Sequence, residues 1–168
     1  MRRSSKELTH IFGGSIIALV FSAVAAPAQI SLPGQLNVEI TIEAECELGV
    51  IQDINFGTEG VLTSNVDEEG SITVTCTPGQ SYSLALDEGD GAGASESARL
   101  MTGPGAATVT YSLYTDAGYN DVWGTGADAL SGTGTGSAIV HDVYGRVGPQ
   151  ATPAPGNYTD TVAVTLTY

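Results

Sequence analysis

The residue types that most often carry chemistry are scarce in this sequence, and their spacing matches no catalytic motif. His141 and Asp142 stand side by side in a serine-rich chain, a combination that a nucleophilic hydrolase would need. The chain contains no Gly-x-Ser-x-Gly turn to present a serine, so His141 is predicted to be an ordinary surface side chain. We therefore predict a protein that is not an enzyme and has no catalytic residues.

Two segments have the composition of a ligand-binding loop without its spacing. Residues 132–136 (Gly-Thr-Gly-Thr-Gly) resemble a phosphate-binding loop, but neither a lysine nor a clear helix follows them. The acidic stretch from Asp87 to Glu96 could hold calcium, yet it lacks the positions of a 12-residue EF-hand loop. Zinc is excluded because His141 is the only histidine beyond the N-terminal leader. No metal or cofactor is predicted, and the acidic stretch is interpreted as a solvated loop of unassigned role.

The aromatic residues permit two interpretations. Tyr114, Tyr119 and Trp123 could form a platform on which a sugar ring stacks. The alternative, which we favour, is that Trp123 fills the core of a β-sandwich. Arg146 is predicted to pair with a carboxylate such as Asp142 or Asp160.

Composition limits the possible partners. The 168 residues include five Lys and Arg against nineteen Asp and Glu, which gives a formal net charge of −14. Nucleic acid is excluded because binding to phosphates needs clustered basic side chains. Charged residues make up 14% of the chain and hydrophobic residues 42%. This composition excludes charge-driven disorder and predicts one globular domain.

Residues 1–28 are predicted to be a secretory signal peptide. Arg2, Arg3 and Lys6 precede an apolar stretch at 11–26, and small residues occupy 26–28. The alternative, a membrane anchor, is disfavoured because the apolar stretch is shorter than the roughly 20 residues that span a bilayer. An exported chain with two cysteines, Cys46 and Cys76, most simply carries one disulfide.

Beyond residue 43, apolar and polar residues alternate with a period of two, as they do in antiparallel strands. The clearest runs lie at 72–77, 82–86, 109–113 and 162–168. Stretches rich in glycine and proline predict long surface loops at 87–95, 124–137 and 148–156. Six or seven strands fit between Ala44 and Tyr168, which predicts an all-β, immunoglobulin-like sandwich.

Residues 29–43 form an arm in which apolar side chains occupy even positions, with Leu36, Val38, Ile40 and Ile42 at its end. As an extended chain, these last residues span about 20 Å, a full strand length. No turn-forming residue lies between 37 and 48, so the arm is not expected to fold back onto the strand around Cys46. Two interpretations fit the pattern equally: a first strand of a complete sandwich, or a strand given to the sheet of another copy.

An ordered set of short motifs resembles the spore coat protein U domain family, which includes the pilin subunits of archaic chaperone-usher systems. The resemblance covers essentially the whole chain after the leader. The motifs are Cys46-Glu47-Leu48-Gly49, Ile54-Asn55-Phe56-Gly57, the runs 72–79, 111–114 and 143–147, Trp123-Gly124, and the ending 156–168.

The resemblance implies an incomplete immunoglobulin-like β-sandwich at 44–168, closed by a Cys46–Cys76 disulfide and preceded by a donor-strand arm at 29–43. A periplasmic chaperone would lend the missing strand. At an outer-membrane usher, the arm of a neighbouring copy or homologous pilin subunit would replace it, and the polymer would reach the cell surface as a pilus or coat. The implied donor side chains are Leu36, Val38, Ile40 and Ile42, and the implied acceptor groove lies beside Val162, Val164 and Leu166.

The main alternative function is a monomeric secreted module that binds carbohydrate or acts as an adhesin, with an arm that completes its own sandwich. A thin fibre, a surface capsule and a spore coat are equally compatible with the subunit interpretation.

Overall fold

The computed structural model describes residues 27–168, so most of the predicted signal peptide lies outside the described residues. The chain divides into two units, Met1–Glu39 and Ile40–Tyr168. In the first unit, residues 27–39 contain no helix or strand, and all of them are exposed. Over the described range 27–168, no helix has the length and apolar character to cross a membrane.

The second unit is an all-β sandwich. Its only helical turns among the described residues are two 3-10 turns, at Pro104–Ala106 and Gly126–Asp128. The strands are β1 (Cys46–Gln52), β2 (Val66–Cys76), β3 (Ser81–Leu86), β4 (Arg99–Thr102), β5 (Thr108–Tyr114), β6 (Leu130–Thr133), β7 (Ala138–Val147) and β8 (Val164–Thr167).

The strands form two sheets with antiparallel pairing throughout. The five-stranded sheet has the order β1-β2-β7-β5-β4, and the three-stranded sheet has the order β6-β3-β8. In β2, Ile72, Val74 and Cys76 are buried while the residues between them are partly exposed. This alternation, repeated in β3 and β5, places one face of each sheet in a shared core. The predicted immunoglobulin-like β-sandwich is therefore confirmed.

The predicted disulfide is also confirmed. Cys46 and Cys76 are bonded. They lie directly opposite each other at the ends of β1 and β2, so the bond ties the first strand of the sandwich to its neighbour.

Several details differ from the expectations. The sandwich has eight strands, because short pairings add elements that sequence patterns do not show. β6 lies inside the predicted loop 124–137, where its residues pair with β3. The alternation at 36–42 does not form a strand in the structure. A strand needs a hydrogen-bonded neighbour, and alternation alone does not supply one.

Candidate functional site

The predicted donor side chains form an exposed apolar row. Leu36, Val38, Ile40 and Ile42 are 88%, 84%, 81% and 73% exposed. Burying one such side chain contributes about 1.5–3 kcal/mol, and large exposed apolar rows favour association. The row is therefore well suited to insertion into an apolar surface.

The predicted acceptor residues lie at the last strand of the three-stranded sheet. Val164 and Leu166 stand opposite Leu86 and Leu84 of β3, and both are packed against the core while remaining partly exposed. Val162, just before β8, has the same partial burial. Among the described residues, β8 pairs with β3 alone, so its other edge has unpaired backbone groups that an added strand could use.

The first strand, β1, carries further uncovered core-facing side chains, which the sequence analysis did not include among the candidate site residues. Leu48 and Ile51 stand opposite Val74 and Ile72 of β2, so all four side chains point to the core face of the sheet. Val74 and Ile72 are 0% and 2% exposed, whereas Leu48 and Ile51 remain 39% and 46% exposed. Core-facing side chains at the β1 edge are thus left uncovered. The alternation from Cys46 through Leu48 continues to Val50, but an irregularity in the pairing between Leu48 and Ile51 places Ile51 instead on the core side.

β1 and β8 are in contact, although they belong to different sheets. Within residues 27–168, each of them is an edge strand that pairs on one side only. The apolar residues at these two edges are partly exposed, and they are Leu48, Ile51, Val162, Val164 and Leu166. We call this set of residues the β1–β8 groove.

His141 is not the exposed side chain that the sequence predicted. It lies on the core-facing side of β7, opposite Ile72 and half-buried, and its Nε2 is 2.7 Å from the hydroxyl oxygen of Tyr82. Burial lowers the pKa of His141, and Asp142 offsets part of that effect. Burial also raises the pKa of Tyr82, so this hydroxyl can donate to a neutral imidazole. The pair has a structural role between the two sheets.

The carboxylates at the two ends of the acidic stretch accept hydrogen bonds from the protein. Asp87 accepts bonds from the backbone N–H groups of Gly89 and Ala163, and Glu96 accepts bonds from the backbone N–H and the hydroxyl of Thr125. Across residues 27–168, His, Cys, Asp and Glu nowhere form a group of three or more that could bind a metal ion.

Trp123 fills the core, as favoured above. It is 0% exposed, and its indole N–H donates to the carbonyl of Leu84 at 2.9 Å. Tyr114 and Tyr119, in contrast, are partly exposed and meet edge to face, with ring centroids 5.5 Å apart. Tyr114, Tyr119 and Trp123 therefore do not form a single platform on which a sugar could stack.

The predicted partners of Arg146 were wrong. Its guanidinium binds Asp67 through two hydrogen bonds of 2.6 and 2.7 Å, and it stacks over Tyr119 at 3.5 Å from the ring centroid. Asp67 and Arg146 are direct neighbours across β2 and β7, which brings them together. Asp160, in contrast, accepts a hydrogen bond from Tyr111. Sequence reasoning missed Asp67 because strand register is not visible in a local pattern.

Comparisons with known proteins agree with this architecture. A family model described as the Spore Coat Protein U domain matches residues 32–165. No curated protein matches the chain. Among solved structures, a chain of the crystal structure of the CsuC–CsuE chaperone–tip adhesion subunit pre-assembly complex, from archaic chaperone-usher Csu pili of Acinetobacter baumannii, is similar, with a TM-score of 0.59. The two chains are 20% identical, and the match covers 76% of this chain and 41% of that chain. At this identity, the similarity shows the fold alone.

Proposed function

Because the chain belongs to the Spore Coat Protein U domain family, we propose that it is a secreted subunit that polymerises by donor-strand exchange. The family match, and the fold shared with a chain of a chaperone–pilus subunit complex, support a pilin-type structural subunit. In the proposed mechanism, the sandwich lacks one edge strand, and the arm at 29–43 of another copy supplies it. A periplasmic chaperone holds the subunit before assembly, and an outer-membrane usher hosts the exchange.

The observation that carries this proposal is the complementary exposure of the two surfaces. The arm presents four apolar side chains at every second residue. The β1–β8 groove leaves Leu48 and Ile51 partly exposed beside fully buried partners in β2. An added strand would cover both sets of side chains and would hydrogen-bond to the unpaired edge of β8. Each of the two surfaces therefore has exposed apolar side chains that binding to the other would bury.

Such a joint supports an open filament. One surface of the subunit gives a strand and a different surface receives one, so the contact is heterologous and does not close on itself. A fibre or a surface coat follows from repeating this contact. The high exposure of Ile40 and Ile42 does not support the alternative of a monomeric module that completes its own sandwich.

A pair of arm variants tests the proposal. Val38→Asp puts a carboxylate on the apolar row, and burying that unpaired charge in a groove would be strongly unfavourable. Thr41→Asp introduces the same charge at an odd position, which faces away from the groove in an extended strand. We expect SDS-resistant multimers for the wild-type and Thr41→Asp chains on unheated gels, and monomers for Val38→Asp. The Val38→Asp chain should still bind its chaperone, because the groove is unchanged.

Two results would contradict the proposal. Multimers of undiminished yield from Val38→Asp would show that the arm is not the donor. A wild-type mature chain that stays monomeric, with or without its chaperone and usher, would favour the self-completed module instead.

A further inference from the structure

Arg99 is the only charged side chain that is completely buried among residues 27–168. It lies at the start of β4, and its guanidinium donates to four backbone carbonyl groups. Nε donates to Asp87 at 2.8 Å, Nη1 to Glu96 at 2.6 Å, and Nη2 to Leu86 at 3.2 Å and Trp123 at 2.8 Å. The acidic segment 87–96 is thus anchored at both ends by one guanidinium group.

Two carboxylates of this segment, Asp87 and Glu96, act on the charge of Arg99. Burial lowers the pKa of Arg99 through desolvation, and the nearby charges of Glu96, Asp87 and Asp160 oppose this effect. A buried charge is tolerated when it is hydrogen-bonded and compensated by opposite charges. The carboxylates therefore stabilise a cation in the core.

Two of these carboxylates also hold the backbone that leads into β8. Asp87 accepts a hydrogen bond of 2.8 Å from the N–H of Ala163, and its own N–H donates to the carbonyl of Ala163 at 3.2 Å. Asp160 accepts a bond of 2.7 Å from the hydroxyl of Tyr111 and one of 2.8 Å from the N–H of Asp90. Burial and the bond to Asp160 raise the pKa of Tyr111, so its hydroxyl remains a donor.

These contacts lie on both sides of Val162, the groove residue that lies just before β8. Residues 161–163 belong to no strand, although the backbone bond from Asp87 to Ala163 reaches them. The carboxylates of Asp87 and Asp160 add to it by accepting bonds from the N–H groups of Ala163 and Thr161. Val162 is nevertheless packed against the core.

We propose that Asp87 and Asp160, anchored through Arg99 and Tyr111, are positioning residues that preorganise the groove at Val162 for the incoming strand. This inference rests on the proposed function, since it assigns a role within the same groove. Holding a backbone in its bound conformation before binding reduces the entropy lost on binding. Without the anchor, the backbone around one residue would have to be ordered on binding, so we expect its loss to weaken donor binding by about tenfold.

The test uses a peptide of residues 35–43 and the mature chain carrying Val38→Asp, which leaves its groove free. Tyr111→Phe removes the hydroxyl that binds Asp160 and keeps the ring in the core. Tyr158→Phe is the matched control, because it removes a hydroxyl with a bond of the same 2.7 Å length, to Ala154. Asp160→Ala removes the carboxylate itself and with it the bonds from both Tyr111 and Asp90, so a larger loss of affinity is expected. Peptide affinity is measured for each chain by fluorescence anisotropy.

A double-mutant cycle shows whether Tyr111→Phe acts by mispositioning Val162 or by weakening the fold in general. Each protein variant is combined with peptides in which one donor side chain is replaced by alanine, at 36, 38, 40 or 42. We expect the loss caused by Tyr111→Phe to couple to a single peptide position, the one that meets Val162, and Tyr158→Phe to have no effect. Hydrogen exchange at the amides of Thr161 and Ala163 should become faster in Tyr111→Phe, even if Asp160→Ala does not fold.

The outcomes distinguish the two proposals. The positioning role would be overturned if Tyr111→Phe bound the peptide with unchanged affinity, or if its loss of affinity were coupled equally to all four peptide positions. In that case, binding of the peptide by the parent chain would still uphold donor-strand exchange. A parent chain that binds no peptide would overturn the proposed function, and this inference would fall with it.

Discussion

Replacing Ile51 by alanine tests whether β1 is a wall of the receiving groove. Ile51 is already about half covered in the free subunit, and 46% of it remains exposed. Burying a whole isoleucine contributes about 1.5–3 kcal/mol, so covering the remaining part contributes about 0.7–1.4 kcal/mol. We therefore expect Ile51→Ala to weaken binding of the peptide 35–43 by about three- to tenfold.

The assay compares Ile51→Ala with a variant on the other face of the same sheet. Val140 in β7 is 59% exposed and stands opposite Thr73, on the face that points away from the core. Val140→Ala removes a similar amount of exposed apolar surface, but no donor strand should reach it. Peptide affinity is measured on the mature chain carrying Val38→Asp, and circular dichroism verifies that each variant is folded.

Equal affinities of Ile51→Ala and the parent chain would refute the assignment of β1 as a groove wall. An equal loss in Val140→Ala would refute it as well, because a general effect on the sheet would then account for both losses. A loss confined to Ile51→Ala would uphold the geometry of the β1–β8 groove.

Two further predictions concern stability. Because the folded state lowers the pKa of His141, the unfolded chain takes up a proton first as the pH falls. The stability that depends on neutral His141 is therefore present above pH 6.5 and is lost as the pH falls from there through the lower folded-state pKa. Between pH 7.5 and pH 5, the free energy of unfolding from urea titrations should decrease less for His141→Phe than for the wild-type chain. An identical decrease in the two chains would count against the prediction. Replacing Cys46 and Cys76 by serine opens a loop with a sequence separation of 30 and should lower the free energy of unfolding by about 3–4 kcal/mol, measured by the same titrations. A loss below about 1 kcal/mol would contradict the loop-entropy argument.

Local sequence patterns predicted the features that depend on local geometry. Period-two alternation located β2, β3 and β5, because successive side chains of a strand point to opposite faces. The burial of Trp123 was favoured because a tryptophan commonly fills the core of a β-sandwich of this kind. The Cys46–Cys76 bond followed from there being only two cysteines in a chain predicted to be exported.

Features that depend on pairing between distant strands could not be predicted in this way. Asp67 and Arg146 are 79 residues apart in sequence, and only the register of β2 on β7 makes them neighbours. The buried position of Arg99 needs carbonyl groups from three separate segments of the chain. The core-facing residues of β1 were missed for a related reason: the irregularity that places Ile51 on the core side is visible only in the pairing of β1 with β2.

The distribution of positive charge explains why the proposed joint relies on apolar side chains and backbone hydrogen bonds. Residues 27–168 contain two cations, Arg99 and Arg146. Arg99 is buried among carbonyl groups, and Arg146 is bound to Asp67, so both are engaged within their own subunit. Ion pairs between copies would need cations that the described surface does not offer. Contact between two acidic subunits must then overcome like-charge repulsion, and insertion of an alternating apolar strand at an unpaired sheet edge provides attraction that needs no charge.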